Sequence, residues 1–272
     1  MQERGEGTHP SARLAATAVI LRDSSEGIEA FMVVRHRAIE FASGALVFPG
    51  GKVDAQDADA AWAELAPARL SSGQRSLRVA AAREAFEEAG LVLARRPGSQ
   101  TLLPAEDALR LDRYRKPLIR GETTFYALLR SEGLTLAGEL MIPFAHWITP
   151  EGLPKRFDTH FFLVAAPVGQ RGAHDGSESV DGLWIAPRQA LKDADAGRRT
   201  LVFATELNLK KLARHASVAE AVAATAATPI VTVMPKVIGS TATTRTLQIP
   251  AAADYGVSEV VVAARVPEPD RG

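Results

Sequence analysis

The stretch from Arg83 to Leu91, which reads Arg-Glu-Ala-Phe-Glu-Glu-Ala-Gly-Leu, constrains the fold of this 272-residue chain most strongly. Read as a helix at about 100° per residue, it extends upstream and carries one apolar stripe, made of Val79, Ala82, Phe86 and Ala89. Such a stripe predicts a sheet beneath the helix. Gly90 ends the helix because glycine accepts the left-handed cap conformation, and residues 91–93 (Leu-Val-Leu) predict a strand after it.

Three glutamates, Glu84, Glu87 and Glu88, lie on the side of this helix away from the apolar stripe. Like charges at this spacing repel by about 0.2–0.5 kcal/mol a pair, and only Arg83 offers a counter-charge within the helix. Two interpretations are open. The glutamates form either a solvated acidic face or a site for a hard divalent cation, whose charge would reverse the repulsion.

Residues 44–51, which read Gly-Ala-Leu-Val-Phe-Pro-Gly-Gly, predict a short strand that runs into a turn where Gly50 and Gly51 permit close backbone approach. The turn at Gly50 and Gly51, called the glycine step below, and the helix together resemble the Nudix box. The pattern of that box is Gly, five residues, Glu, seven residues, then Arg-Glu-apolar-x-Glu-Glu-x-Gly-apolar. Gly51 matches the first glycine. The second half is matched by Arg83, Glu84, Glu87, Glu88, Gly90 and Leu91.

Asp57 stands at the position of the first Glu of the pattern, and 25 residues separate it from Arg83 where seven are usual. Residues 58–82 are therefore interpreted as an insertion inside the box. Residues 58–65 are predicted to be helical, residues 58–71 to loop out, and Ser72 to be the N-cap of the box helix. The two halves of the box are expected to pack together despite the insertion.

The resemblance implies an α+β fold, the Nudix α/β/α sandwich, with a mixed β-sheet, helical insertions and a small C-terminal β extension. It also implies metal-dependent hydrolysis of a diphosphate linkage in a nucleoside-diphosphate–X compound. Glu84 and Glu88 are expected to be the principal ligands of Mg²⁺ or Mn²⁺, with Glu87 as a third ligand. Arg83 is expected to hold the glutamates in position. The general base is Glu87, Glu88 or Glu178, the last in the loop of residues 169–179.

A second resemblance is to the coenzyme A diphosphatase branch of the superfamily, of the peroxisomal type with an insertion in the box. It rests on Arg35, Gly44, residues 48–51 and residues 156–163, while His36 and Glu40 depart from the signature. The implied substrate is coenzyme A or acyl-CoA, cleaved to 3′,5′-ADP and (acyl-)4′-phosphopantetheine. The residues expected to bind it are Arg35, Arg37, Gly50, Gly51 and Arg156. Two alternatives stay open: an ADP-ribose or NADH diphosphatase, and a non-catalytic nucleotide-binding module.

The predicted domain organisation is a disordered lead (1–10), a Nudix hydrolase domain (11–228) and a C-terminal β-rich extension (229–272). Within the domain, residues 13–21 and 28–35 predict a hairpin, and residues 103–132 predict one or two added helices that could form a lid or a homodimer face.

Charge and composition narrow the classes of partner and of site that this chain can have. Lys plus Arg equals Asp plus Glu at 32 each, so no overall field attracts nucleic acid or an anionic membrane. The absence of cysteine excludes disulfides, thiolate metal sites and cysteine nucleophiles. No apolar run approaches the length of a membrane span. These features are consistent with the expected cytoplasmic protein, and the resemblance implies that it acts on a nucleotide-type small molecule.

Overall fold

The computed structural model of the chain describes residues 11–35, 44–66, 69–173 and 179–263. Its α-helices are α1 (Trp62–Leu65), α2 (Ser72–Ala89), α3 (Ala105–Leu111), α4 (Arg115–Ile119), α5 (Phe125–Ser131), α6 (Pro187–Asp195), α7 (Phe203–Leu212) and α8 (Val218–Ala227). Short 3-10 helices occupy Ala55–Ala58, Asp112–Tyr114, Gly138–Leu140 and Ala251–Ala253.

The first strands are β1 (Arg13–Ser24), β2 (Gly27–Arg35), β3 (Ala45–Val47), β4 (Gly50–Lys52), β5 (Ala94–Arg95), β6 (Thr135–Leu136) and β7 (Ile142–Ile148). The later strands are β8 (Phe157–Ala165), β9 (Ser179–Ile185), β10 (Thr200–Leu201), β11 (Thr232–Val233), β12 (Lys236–Ser240), β13 (Thr244–Gln248) and β14 (Glu259–Ala263). The predicted strands at residues 13–21 and 28–35 are confirmed as the antiparallel pair β1–β2.

A nine-stranded mixed sheet organises the molecule around β1. Residues 15–21 of this strand are all buried, because helices cover both faces of the sheet. On one edge β1 pairs in parallel with β8, and on the other it pairs antiparallel with β2 at one end and β4 at the other. The main path runs β10-β3-β2-β1-β8-β7-β11, with β9 beside β2.

The two faces of the sheet carry different helices. On one face, α2 and the helices of residues 105–131 share a core that contains Val79, Phe86 and Phe125. On the other face, Leu207, Leu212 and further residues of α6 to α8 pack with β2, β7 and β8. This arrangement confirms the predicted α/β/α sandwich. The added region 103–132 contains three short α-helices and a 3-10 turn, where one or two helices were predicted.

The box helix differs from its prediction on two points. It begins at Ser72 with Ser71 as N-cap, one residue earlier than predicted, and the Ser71 side chain accepts from the backbone N–H of Gln74. Of the two interpretations left open for the glutamates, the solvated face does not describe Glu88, which is 5% exposed. Residues 91–93 are buried but form no strand.

The insertion of residues 58–82 only partly loops out. Residues 72–82 form the first part of α2, so the insertion lengthens the box helix at its N-terminal end. Upstream, Trp62 is 1% exposed and its ring lies 5.9 Å from that of Phe125. Burial of an aromatic side chain this large anchors α1 to the core. The prediction that residues 58–71 loop out therefore does not hold for α1, where Trp62 is packed in the core.

The chain beyond residue 228 divides into two structurally different parts. β11 extends the main sheet beside β7, and Tyr255 is buried among helix and sheet residues, where its hydroxyl accepts from Trp147 and donates to Asn208. In contrast, β12, β13 and β14 form a separate sheet that exposes Val237, Ile238 and Val261. None of the helices described is long and apolar enough to cross a membrane.

Candidate active site

The glycine step lies directly against the box helix. The backbone N–H of Gly50 donates to the Glu88 carboxylate over 2.9 Å. A Cβ atom at Gly51 would overlap the carboxylate of Glu84, and one at Gly50 would overlap Thr17 of β1. Only glycine permits this approach. The two halves of the box are therefore in contact, as predicted, although 25 residues separate Asp57 from Arg83.

Arg83 is the centre of the cluster and is 3% exposed. Its guanidinium donates to both carboxylate oxygens of Asp57, at 2.9 and 2.8 Å. The same group donates to Glu84 at 2.9 Å and to Glu87 at 3.0 Å. Bidentate pairing of a planar guanidinium fixes geometry as well as charge. Arg83 thus holds the glutamates in place, as the sequence predicts.

Asp57 owes its position to a local turn. It is 1% exposed, and it accepts from the backbone N–H of Asp54 at 2.9 Å, which closes a capping box around the 3-10 helix Ala55–Ala58. This carboxylate stands where the family pattern has its first Glu, yet it faces Arg83. Asp57 therefore positions Arg83. The insertion lies between these two residues in the sequence and does not disturb their contact.

In the ion pairs described around Arg83, carboxylates outnumber cations. Four carboxylates (Asp54, Asp57, Glu84 and Glu87) lie within 4.0 Å of the Arg83 guanidinium, and Glu88 accepts from the backbone N–H of Gly50. Burial raises the pKa of Glu87, and the charge of Arg83 opposes this shift only in part. Burial alone would lower the pKa of Arg83, but the hydrogen bond with Asp57 and the nearby carboxylates outweigh it and raise that pKa. A divalent cation would offset the excess negative charge.

The donor set fits a hard cation, because every side-chain ligand in it is a carboxylate oxygen. The oxygens do not form a closed cage, since Arg83 and Gly50 hold them in separate contacts. Mg²⁺ keeps several of its waters and needs few protein ligands, so an open arrangement of this kind suits it.

Comparison with known proteins agrees with this geometry. A model of the NUDT19 Nudix domain matches residues 70–199. The protein "Putative nudix hydrolase 7" of Caenorhabditis elegans is 31% identical over 193 residues, 70% of this chain and 57% of that protein. A NUDIX hydrolase crystal structure from Alicyclobacillus acidocaldarius has a TM-score of 0.67 at 28% identity, covering 80% of this chain and 99% of that one. The chain belongs to the Nudix hydrolase superfamily.

The acyl-coenzyme A diphosphatase NUDT19 of Gallus gallus is 28% identical to this Nudix chain over 197 residues, 56% of this chain and 52% of that protein. The chain thus spans a little over half the length of the curated relatives it matches. These matches confirm the resemblance to the Nudix superfamily and to its coenzyme A diphosphatase branch.

Sequence reasoning missed Arg115, which caps the C-terminal end of the Nudix helix. Its guanidinium donates to the backbone carbonyl of Glu87 at 2.8 Å and to that of Ala173 at 2.7 Å. A cation here satisfies a helix carbonyl and complements the helix dipole. No local signal announces this contact, because Arg115 lies 28 residues from Glu87 in the chain.

The other predicted site residues are distributed differently. Arg35 ends β2, and its buried Nε atom has no hydrogen-bond acceptor within the described chain. Arg156 precedes β8, and its Nε donates to the carbonyl of Thr149 at 3.2 Å. Arg37 and Glu178 lie outside the described residues. The structure therefore brings together the box residues and the glycine step, and places Arg35 and Arg156 at the ends of two other strands.

Proposed function

We propose that this chain is a metal-dependent Nudix hydrolase that cleaves a diphosphate linkage in a nucleoside-diphosphate–X compound. Its proposed substrate is coenzyme A or acyl-CoA, and the products are 3′,5′-ADP and (acyl-)4′-phosphopantetheine. The observation that carries the proposal is the contact of the Gly50–Gly51 step with Glu84 and Glu88. The Arg83–Asp57 pair lies beside this contact and fixes the box helix there. All three box glutamates are present, which favours catalysis over a purely binding role.

Each group has a defined task in this proposal. Hydrolysis of a diphosphate requires neutralised phosphate charge, an activated water and orientation of both. Glu84 and Glu88, with Glu87, would hold Mg²⁺ or Mn²⁺, and the cation when bound supplies the neutralising charge. The side-chain-free surface at Gly51 admits the diphosphate close to these carboxylates. Arg83 keeps the carboxylates fixed and has no part in binding substrate.

Three carboxylates are candidates for the general base: Glu87, Glu88 and Glu178. The raised pKa of Glu87 favours it, because a base accepts a proton best when its pKa lies closer to the working pH.

The choice of coenzyme A rests on the curated relatives and on Arg35. The curated relatives named acyl-coenzyme A diphosphatase favour it. Coenzyme A also carries a 3′-phosphate that ADP-ribose and NADH lack, so a cation should recognise it. Arg35 is the best candidate, because its buried Nε has no acceptor among the residues described and a ligand phosphate could provide one. A charge-assisted hydrogen bond contributes about 1.5–3 kcal/mol, or roughly ten- to a hundredfold in affinity.

The test is a substrate panel with Mg²⁺ and with Mn²⁺, in which products are identified by mass. We expect coenzyme A to be hydrolysed about tenfold or more faster than dephospho-coenzyme A. The Arg35→Ala variant should narrow that gap, whereas Arg120→Ala, at an exposed arginine of the added helices, should leave it unchanged. Equal rates on the two compounds, or a preference for ADP-ribose or NADH, would reject coenzyme A and leave diphosphate hydrolysis standing. If no compound is hydrolysed, nucleotide binding without catalysis remains as the function.

A further inference from the structure

A second polar cluster lies on strands β7 and β8, away from the Nudix box. The Nε2 atom of His146 is 2.5 Å from Oδ1 of Asp158, and the Nε2 atom of His160 is 3.5 Å from the same oxygen. The two imidazole rings stack with their centroids 4.0 Å apart. Within the described part of the chain, this is the one group of three potential ligands whose donor atoms all lie within 4.8 Å of one another.

Strand pairing builds this cluster. His146 lies directly opposite His160 in the antiparallel β7–β8 pair, so their side chains share one face of the sheet. Asp158 is two residues before His160 in β8 and therefore points to the same face. The three side chains converge because of backbone register, so the arrangement does not depend on a mobile loop.

The spacing fits a cation with tetrahedral coordination. Ligand bonds of about 2.0–2.1 Å place neighbouring ligand atoms roughly 3.4 Å apart. The separation of 3.5 Å between His160 and Asp158 matches this value, and the shorter contact of His146 is a hydrogen bond that a cation would replace. The two rings are stacked with their planes 16° apart, so one imidazole must rotate for both Nε2 atoms to reach the same ion. Two imidazoles and one carboxylate suit Zn²⁺ and similar transition metals better than Mg²⁺.

A supporting contact of the kind found around metal-bound histidines is already present. The Nδ1 atom of His146 is 2.8 Å from Oγ1 of Thr232, which belongs to β11. Metal-ligating histidines almost always use the second ring nitrogen in such a hydrogen bond, which fixes the ring and its tautomer. Here the contact aims Nε2 of His146 at Asp158. The side chains of Asp158 and His160 are each 30% exposed, so solvent and ions can reach the cluster.

We propose that His146, Asp158 and His160 form a second metal site, which binds a divalent transition metal of the Zn²⁺ class. Three protein ligands leave a fourth coordination position for water or another small ligand. The site is distinct from the Nudix box: His160 lies opposite Ala16 of β1, and Ala16 lies opposite Gly51 of β4. Two strand spacings, roughly 10 Å, therefore separate it from the glycine step.

The test is calorimetric titration of the full-length chain with Zn²⁺ in an excess of Mg²⁺, which occupies the oxygen-donor site of the box. We expect one bound Zn²⁺ per chain. His160→Gln and Asp158→Asn should each weaken binding by more than a hundredfold, because each removes a ligand. Thr232→Val should weaken it by about ten- to a hundredfold, because it removes only the supporting hydrogen bond.

The matched control is His215→Gln, at a histidine outside the cluster that lies 3.5 Å from Glu220, and its affinity should equal that of the wild type. Circular dichroism establishes that each variant is folded, and His146→Gln replaces any variant that is not. Absence of Zn²⁺ binding in the wild type, or undiminished binding in His160→Gln and Asp158→Asn, would overturn the proposal. Because the readout is heat of binding, the result is independent of any hydrolytic activity.

Discussion

Two polar clusters share one sheet and are built in different ways. In the Nudix box, Arg83 and Asp57 are at most 3% exposed and are joined by two charged hydrogen bonds. In the cluster of His146, Asp158 and His160, the side chains are 16–30% exposed. The Arg83–Asp57 pair of the box is buried in the core, whereas the histidine cluster lies at the margin of the core.

The difference separates folding from binding. A buried charge pair must be satisfied for the chain to fold, because an unpaired buried charge costs several kcal/mol. A pair that is 16–30% exposed keeps contact with water when its partner is removed, so the removal costs less stability. Changes in the box should therefore reduce stability or catalysis strongly, and changes in the histidine cluster should affect mainly metal binding.

The largest effect should come from Arg83→Met. This change leaves Asp57 buried without its counter-charge, so we expect the free energy of unfolding to fall by about 3–5 kcal/mol, measured by urea denaturation. Arg110→Met, at an exposed arginine of α3, is the control and should change it by less than about 0.5 kcal/mol. A loss below about 1 kcal/mol in Arg83→Met would show that the buried network does not stabilise the fold.

Glu88→Gln should have the next largest effect, and on activity. The amide oxygen of glutamine can still accept from Gly50, so we expect a stability loss of only about 1 kcal/mol. Loss of a charge that serves catalysis should lower the hydrolysis rate by about a hundred- to a thousandfold. Glu122→Gln, in an exposed turn, is the control. Near-normal turnover of Glu88→Gln would remove Glu88 from the proposed metal site.

A moderate effect is expected from Gly51→Ala. The added methyl group would meet the Glu84 carboxylate, which must then move, so we expect the hydrolysis rate to fall about tenfold. Gly73→Ala is matched in chemistry but lies in the first turn of α2, where nothing is within 4 Å of the new atom. Its activity should be unchanged and its stability slightly higher. Equal activities of the two variants would show that the close approach at Gly51 is not required.

The comparison also explains what the sequence could predict. The box lies on one helix and one glycine step, so its match to the family pattern identifies Glu84, Glu87, Glu88 and Gly51 from the sequence. The histidine cluster needs the β7–β8 register, because 14 residues separate His146 from His160 and no motif joins them. The only local signal is the alternation of Asp158 and His160, which places both on one face of a strand.

The errors in the fold prediction have a common cause. The solvated face stayed open for Glu88 because helix periodicity identifies the side that meets the sheet but not what covers the other side. Glu88 meets the backbone N–H of Gly50, and the helices of residues 105–131 pack on α2 through Phe125, beside Phe86, and through Arg115. The same helices receive Trp62, which holds part of the insertion against the core. Contacts between distant segments decided both points, and periodicity within one helix carries no information about them.

The smallest effect should be that of His160→Gln on stability without metal. With EDTA present, we expect the free energy of unfolding to change by less than about 1 kcal/mol, because the side chain is 30% exposed and glutamine can still donate to Asp158. With Zn²⁺ at a hundred times its dissociation constant, the wild type should gain about 2.7 kcal/mol and the variant less than about 0.4 kcal/mol.

A large loss in EDTA would contradict the distinction between the two clusters. A decrease above about 2 kcal/mol would mean that His160 and Asp158 stabilise the sheet in the way that Arg83 and Asp57 stabilise the box. The stacked rings and the Thr232 contact would then serve folding, and exposure would be a poor guide to the role of a polar cluster. A small loss in EDTA together with a Zn²⁺-dependent gain confined to the wild type would instead show that strand register can hold a binding site without using it for stability.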